Sequence, residues 1–331
     1  MTRDERAATG ASTPDAVVPR EGARVLVFGA GSLGSLLGGL LARTHDVTLV
    51  GRDPHVAAVR EGGLRIDGAV SETVSPAAAT SIPGGRFDLA LVTVKAHDTP
   101  AAAAALATHE GRADSGDRDD GGELGAVWSL QNGLGNEERL AAALSSPVLA
   151  GTCTYGARLV DPGVVECTGV GEVTVGPPGG GESALADAVG AAATAAGVEA
   201  TVATDMPRRL WEKLAVNAGI NAVTALARVD NGALVDGPAG EPARAAARET
   251  ARVAREAGVD LDPAACADRV TDVAETTAAN VSSMRADVET GRPTEVDAIN
   301  GAVVERASVP VPVNETLTAL VRAWERERGL R

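Results

Sequence analysis

Short apolar runs and polar turns alternate through the first half of the chain. Arg24–Phe28 (RVLVF) is apolar on consecutive positions, the pattern of a strand buried on both faces. Asp46–Val50 (DVTLV), Asp88–Val94 (DLALVTV) and Ala126–Leu130 (AVWSL) have the same character, and Leu64–Ile66 is a shorter run. Ser35–Arg43 reads as a helix between the first two. Strands alternating with helices predict a parallel sheet. Val148–Thr154, Arg158–Val160, Val164–Cys167 and Glu172–Val175 then read as short strands, with turns at Asp161-Pro162-Gly163 and Gly169. Ser183–Ala196 is helical and Glu199–Ala203 extended.

From Asp205 onward the strand signal stops. Helix-start signals recur instead: Asp205 before Pro207, Gly240 before Pro242, Asp262 before Pro263, Thr294 before Glu295, and Asn314 before Glu315. Gly258 and Gly291 are candidate C-terminal stops. The pattern predicts an α/β region over residues 23–204 followed by an all-helical region over 205–331. Residues 1–22 read as a disordered tail. Thr108–Gly125 (THEGRADSGDRDDGGELG) reads as an acidic surface insertion.

Composition narrows the function. A net charge of −15 argues against nucleic acid and anionic membrane as partners, because both need basic patches. It fits a high-salt cytoplasm, and a cytoplasmic protein is expected. Val25–Ala42 is uncharged and long enough for a membrane span, yet it is rich in glycine and reads as strand, turn and helix. No secretory signal is visible in residues 1–22. Three scattered cysteines without CxxC or Cys/His clusters indicate neither a disulfide framework nor a metal site. Of 30 basic residues, only Lys95 and Lys213 are lysine. A bias toward arginine does not explain why these two remain.

Gly29-Ala30-Gly31-Ser32-Leu33-Gly34 is G-x-G-x-x-G, directly after a strand and opening a helix. The first glycine suits a tight turn, the second lets backbone approach a pyrophosphate, and the third lets helix pack on strand. This makes the first domain a Rossmann-type dinucleotide-binding domain. Arg52 follows the second strand where an acid would bind a ribose hydroxyl, so NADP(H) is favoured; Asp53 leaves NAD(H) open. Lys95 and Gln131-Asn132-Gly133 follow later strands, at the carboxyl ends where ligands bind. Lys213, Asn217 and Asn221 are four apart and share one helical stripe. Asparagine inside a helix costs about half a kcal/mol against alanine, so the pair suggests a polar face toward a cleft. A buried lysine there would have a lowered pKa and could donate a proton. Glu295 reads either as a site residue or as an acid at a helix N-terminus.

Together these segments resemble the ketopantoate reductase (2-dehydropantoate 2-reductase) family. The resemblance rests on GAGSLG at 29–34, Arg52, VTVKAHDT at 92–99, QNGLGNEE at 131–138, GTCTYGA at 151–157, WEKLAVNAGINAVTAL at 211–226 and SSMRADVETGRPTEVDAINGAVV at 282–304. It implies NADPH-dependent reduction of a small 2-oxo acid, 2-dehydropantoate, to (R)-pantoate on the route to pantothenate and coenzyme A. By position, Lys213 matches the proton donor. Asn217, Asn221, Asn231 and Ser283 match groups holding the substrate. Asn132 matches a residue touching both substrate and cofactor. Arg52, Lys95, Ala157 and Glu295 match the cofactor side, with Gly29, Ala30, Gly31, Ser32, Leu33 and Gly34 under the pyrophosphate. Arg285 departs from the pattern by adding a charge near the carboxylate site. A homodimer stays open, as do two other readings: a related 2-oxo or 3-hydroxy acid dehydrogenase, and a non-catalytic NADPH sensor, against which Lys213 counts.

Overall fold

A computed structural model of the chain describes residues 18–111 and 122–331. Its strands are β1 (Arg24–Phe28), β2 (Asp46–Val50), β3 (Leu64–Gly68), β4 (Glu72–Val74), β5 (Ala77–Ala79), β6 (Arg86–Phe87), β7 (Leu89–Val92), β8 (Glu123–Leu124), β9 (Val127–Ser129), β10 (Val148–Cys153), β11 (Gly156–Asp161), β12 (Val164–Gly169), β13 (Val173–Gly176) and β14 (Ala200–Val202). Helices α1 (Ser32–Leu41), α2 (His55–Gly62), α3 (Thr99–Gly111), α4 (Asn136–Ala143) and α5 (Ala184–Ala195) lie among them. After β14 the described chain is helical: α6 (Met206–Ala227), α7 (Gly240–Glu256), α8 (Pro263–Thr276), α9 (Ser283–Glu289), α10 (Asn300–Arg306) and α11 (Pro312–Glu327).

The main sheet runs β14-β13-β10-β9-β7-β1-β2-β5, parallel except for the β10–β13 pair. Both faces of β1 are buried, and its side chains divide by parity. Val25 and Val27 join one apolar cluster with Leu36, Leu49 and Trp128, while Leu26 joins another with Phe87, Val92 and Leu106. The order reverses at β1, with β2 on one side and β7 on the other. Loops leaving the carboxyl ends of β1 and β7 therefore splay apart and open a crevice.

A second sheet, β11-β12-β3-β4, packs on α1. Leu64–Ile66 belongs here and not to the parallel sheet: β3 pairs with β12 and β4. The helical half is built around α6, whose Leu214, Ala215, Ala218 and Ala222 pack with Ala243, Ala247, Val270 and Val321. Small side chains let the helices approach closely; a Cβ on Gly219 would stand 2.8 Å from the Ala243 carbonyl oxygen. Ala150, Ala203 and Met206 form a small cluster that seats the start of α6 on the sheet.

Several boundaries differ from the expectation. Helix α1 begins at Ser32, inside the glycine motif, so Ser32 and Leu33 are already helical. The strand expected to reach Val94 ends at Val92, leaving Lys95 just before a 3-10 turn at Ala96–Asp98. Thr294 starts no helix: its N–H and hydroxyl bond Glu325, and the next helix begins at Asn300. Asn314 caps nothing either, since α11 has begun at Pro312; its buried amide bonds Ala246, Glu249 and Asn300. Of the expected tail, residues 1–17 lie outside the described residues, but Val18 is buried in the sheet core and Gly22 donates to the Thr44 carbonyl. Of the expected insertion, 112–121 lie outside the described residues. Its first four residues finish α3, and Glu123–Leu124 is β8, paired with β6.

Candidate active site

The glycine turn is shaped by its neighbours. Gly29 has φ +115°, a conformation other residues rarely adopt, and its carbonyl accepts from Thr93 Oγ1 at 2.9 Å. A Cβ on Gly34 would fall 2.2 Å from the Gly29 oxygen, so helix and turn touch there. Gly31 is the reverse case: nothing lies within 4 Å of where its Cβ would stand. The backbone thus presents an open face at the helix start, as close approach of a pyrophosphate requires. The N–H of Leu159 on β11 donates to Ser32 Oγ at 3.0 Å, placing Ala157, two residues earlier, on the strand over this turn.

Beyond β2, Gly51 lies against Ala30, where a Cβ would approach its methyl to 2.8 Å. No side chain fits there. The Arg52 side chain is 90% exposed, with only a 3.6 Å ion pair to Asp98. Asp53 is engaged locally, its Oδ1 accepting from the Ala57 N–H at 3.0 Å in the first turn of α2. The guanidinium thus stands mostly in solvent beside the end of β2, and the neighbouring carboxylate has one oxygen engaged by α2.

Across the crevice, the helical half contributes three contacts. Glu295 lies in an irregular turn before α10 and does not serve a helix terminus. Its Oε1 accepts from the Ala96 N–H and its Oε2 from Asn132 Nδ2, both at 3.1 Å. Lys95 forms an ion pair with Asp287, a buried acid on α9. Burial pushes the Asp287 carboxyl up; the Lys95 ammonium opposes that. Lys213, half-buried on α6, donates to the Cys153 carbonyl at the end of β10 at 3.2 Å. Burial pulls its ammonium below the ordinary lysine value, while Cys153, Glu295 and Glu137 push the other way. Glu137 is itself a buried acid whose carboxyl is raised by burial.

Asn217 and Asn221 follow Lys213 at one-turn intervals on α6; Asn221 is buried. Asn231 is also buried, with Nδ2 donating to Thr277 Oγ1 at 2.9 Å. Ser283 is the exposed first residue of α9. Neither is hydrogen-bonded to the Lys213 or Asn132 groups. Its neighbour Ser282 caps α9 and meets Thr224 Oγ1 at 2.7 Å. Arg285 does not add a free charge: its guanidinium pairs with Asp230 and Glu289. Asp287, Glu137 and the Cys153 carbonyl were not singled out from sequence. Only their place within the 282–304, 131–138 and 151–157 segments could have drawn notice.

A glycine turn after the first strand of a parallel sheet, with a lysine from a long helix set against another strand end of that sheet, defines a two-part Rossmann-type oxidoreductase fold. Residues 25–180 match the family model described as ketopantoate reductase PanE/ApbA, and residues 205–325 match its C-terminal model. The chain belongs to the ketopantoate reductase family. It is 45% identical over 314 residues to a 2-dehydropantoate 2-reductase of Halobacterium salinarum, covering 92% of this chain and 99% of the relative. A protein of that name from Archaeoglobus fulgidus is 41% identical, covering 91% and 98%. Among solved structures, a PanE/ApbA family ketopantoate reductase from Ralstonia eutropha JMP134 is 32% identical, with TM-score 0.80 over 92% of this chain and 99% of that one.

Proposed function

We propose that this protein reduces 2-dehydropantoate to (R)-pantoate with NADPH, a step toward pantothenate and coenzyme A. The observation that carries the reading is Lys213, a half-buried amine anchored at the carboxyl end of β10 by the Cys153 carbonyl and sharing a helical stripe with Asn217 and Asn221. Residues 23–204 form the cofactor domain and 205–331 the substrate domain.

Gly29–Gly34 would hold the pyrophosphate, Arg52 the 2′-phosphate, and Lys95, Ala157, Asn132 and Glu295 the remainder of the cofactor. When bound, the nicotinamide supplies hydride to the ketone carbon. The chain does the rest. The Lys213 ammonium donates a proton to the oxygen on which negative charge develops. Asn217, Asn221, Asn231 and Ser283 bind the substrate carboxylate and hydroxyl with neutral donors. Asn132, its Nδ2 given to Glu295, keeps Oδ1 free to accept from a ligand.

The test is oxidation of NADPH and of NADH by the purified protein with a panel of 2-oxo acids, in low and high KCl. Ketopantoate turnover with NADPH preferred supports the reading. No ketopantoate turnover in any salt overturns it.

A further inference from the structure

Behind Asn132 runs a chain of three buried side chains, Gln131, Thr99 and Asn136. Gln131 Nε2 donates to the Val94 carbonyl at 3.0 Å and to Thr99 Oγ1 at 2.7 Å. The same hydroxyl donates to Asn136 Oδ1 at 2.8 Å. Asn136 Nδ2 turns back to the Asn132 carbonyl at 3.0 Å. Thr99 and Asn136 are fully buried and Gln131 nearly so. They sit at the two ends of strand-end loops: Gln131 lies two residues past β9, Thr99 opens α3, and Asn136 opens α4.

The direction of donation is fixed along the whole chain. Thr99 has one hydroxyl proton; because it accepts from Gln131, that proton is spent on Asn136. The Asn136 amide must then present its oxygen to Thr99 and its nitrogen to Asn132. Reversing any amide would set two acceptors or two donors against each other in a dry interior, an expensive arrangement. The loop that carries Lys95 and Ala96 is thereby tied to the loop that carries Asn132. Both loops also grip Glu295, through the Ala96 N–H and Asn132 Nδ2.

We infer that Thr99 and Asn136 are positioning residues for the reduction: with Gln131 they set the backbone of Asn132 so that its amide spans Glu295 and the ligand. This rests on the proposed role of Asn132. A loose Asn132 leaves the ligand bound but misplaced, and small misplacements of a reacting group cost catalysis more than binding.

The experiment is a double-mutant cycle in the full chain, read as NADPH oxidation with ketopantoate and as NADPH affinity. Thr99→Val keeps the shape and removes the hydroxyl. Asn136→Asp keeps the oxygen that faces Thr99 and removes the donor to Asn132. Each should lower kcat about tenfold, with NADPH affinity within about threefold. Thr99→Ser should restore kcat to within about threefold of the parent. In an Asn132→Ala background, Thr99→Val should cost less than about twofold, because its effect passes through Asn132. Wild-type kcat in both single variants would overturn the inference, as would equal costs of Thr99→Val in the two backgrounds. If the parent reduces another 2-oxo acid and not ketopantoate, only the substrate reading falls, and the cycle is run on that acid. A parent that oxidises NADPH with none of them overturns both.

Discussion

The Asp53 carboxylate accepts a hydrogen bond from the Ala57 backbone N–H, while the adjacent Arg52 guanidinium stands almost wholly in solvent. One oxygen of the acid is held by the first turn of α2, while the base, paired loosely with Asp98 at 3.6 Å, reaches into solvent. Arg52→Ala should therefore raise KM for NADPH by about 10–100-fold, the worth of a charge-assisted contact of roughly 1.5–3 kcal/mol. KM for NADH should stay unchanged. Parallel steady-state titrations with the two cofactors check this; equal losses for both would count against it.

Lys213→Ala should lower kcat by about 10²–10⁴-fold, the usual range for loss of a positioned acid. NADPH affinity, read by fluorescence titration, should move little. Lys213→Arg should not rescue, because guanidinium holds its proton at any working pH. An acid must be protonated to act, and burial lowers this ammonium's pKa from 10.5. The kcat profile should therefore fall on its alkaline side, below that ordinary value, and the parent alone should show that limb.

Two glycines of the same turn, Gly31 and Gly34, should separate binding from folding. At Gly34 an alanine methyl would meet the Gly29 oxygen at 2.2 Å, so Gly34→Ala should destabilise the fold by about 1–3 kcal/mol. At Gly31 the methyl enters open space, and the backbone (φ −85°, ψ −159°) suits alanine. Gly31→Ala should keep its melting temperature yet bind NADPH at least about tenfold more weakly, since the methyl occupies the approach of the pyrophosphate. Thermal melts paired with cofactor titration decide it.

His55 should make stability pH-dependent. Its Nδ1 accepts from the Gly163 N–H at 3.0 Å, so its proton sits on Nε2, which faces Ser35 Oγ at 2.9 Å. Burial lowers its pKa from 6.5, so the native state holds it neutral. The unfolded chain binds the extra proton first as pH drops. The stabilisation is therefore complete above about pH 6.5 and fades as pH falls toward the lowered native value. Melting temperatures measured from about pH 8 down to 5 should decline through that window. In His55→Leu the decline should be shallower, on a fold weakened by about 1–3 kcal/mol from two orphaned partners.

What the chain reveals locally and what it hides divide along physical lines. β1 and β2 were legible to the residue because continuous burial leaves a continuous apolar run. The glycine motif and the Lys213 stripe were legible because their spacing is local. Thr294-Glu295 imitates a helix start and Asn314 sits two residues inside a real one, yet the side chains of Thr294, Glu295 and Asn314 answer to Glu325, Ala96 and Glu249, distant in sequence. The Asn132–Glu295 bond spans 163 residues, and no local pattern records it. The Asp287 pairing with Lys95 is hidden for the same reason. Leu64–Ile66 was visible as a strand, but its sheet depends on β12, a hundred residues on.

Met206, wedged with Ala150 and Ala203 at the start of α6, has a mechanical consequence. Lys213 lies seven residues beyond it, about 10 Å along the helix, and Asn221 about 22 Å. Pivoting α6 about Met206 by a tenth of a right angle would sweep Lys213 through only about 1.6 Å, and Asn221 through about 3.5 Å. The helix is thus a short lever at the acid and a long one at the asparagines. Under such a pivot the far asparagine would travel about twice as far as the acid, so the two ends of one polar stripe would respond unequally to the same rotation.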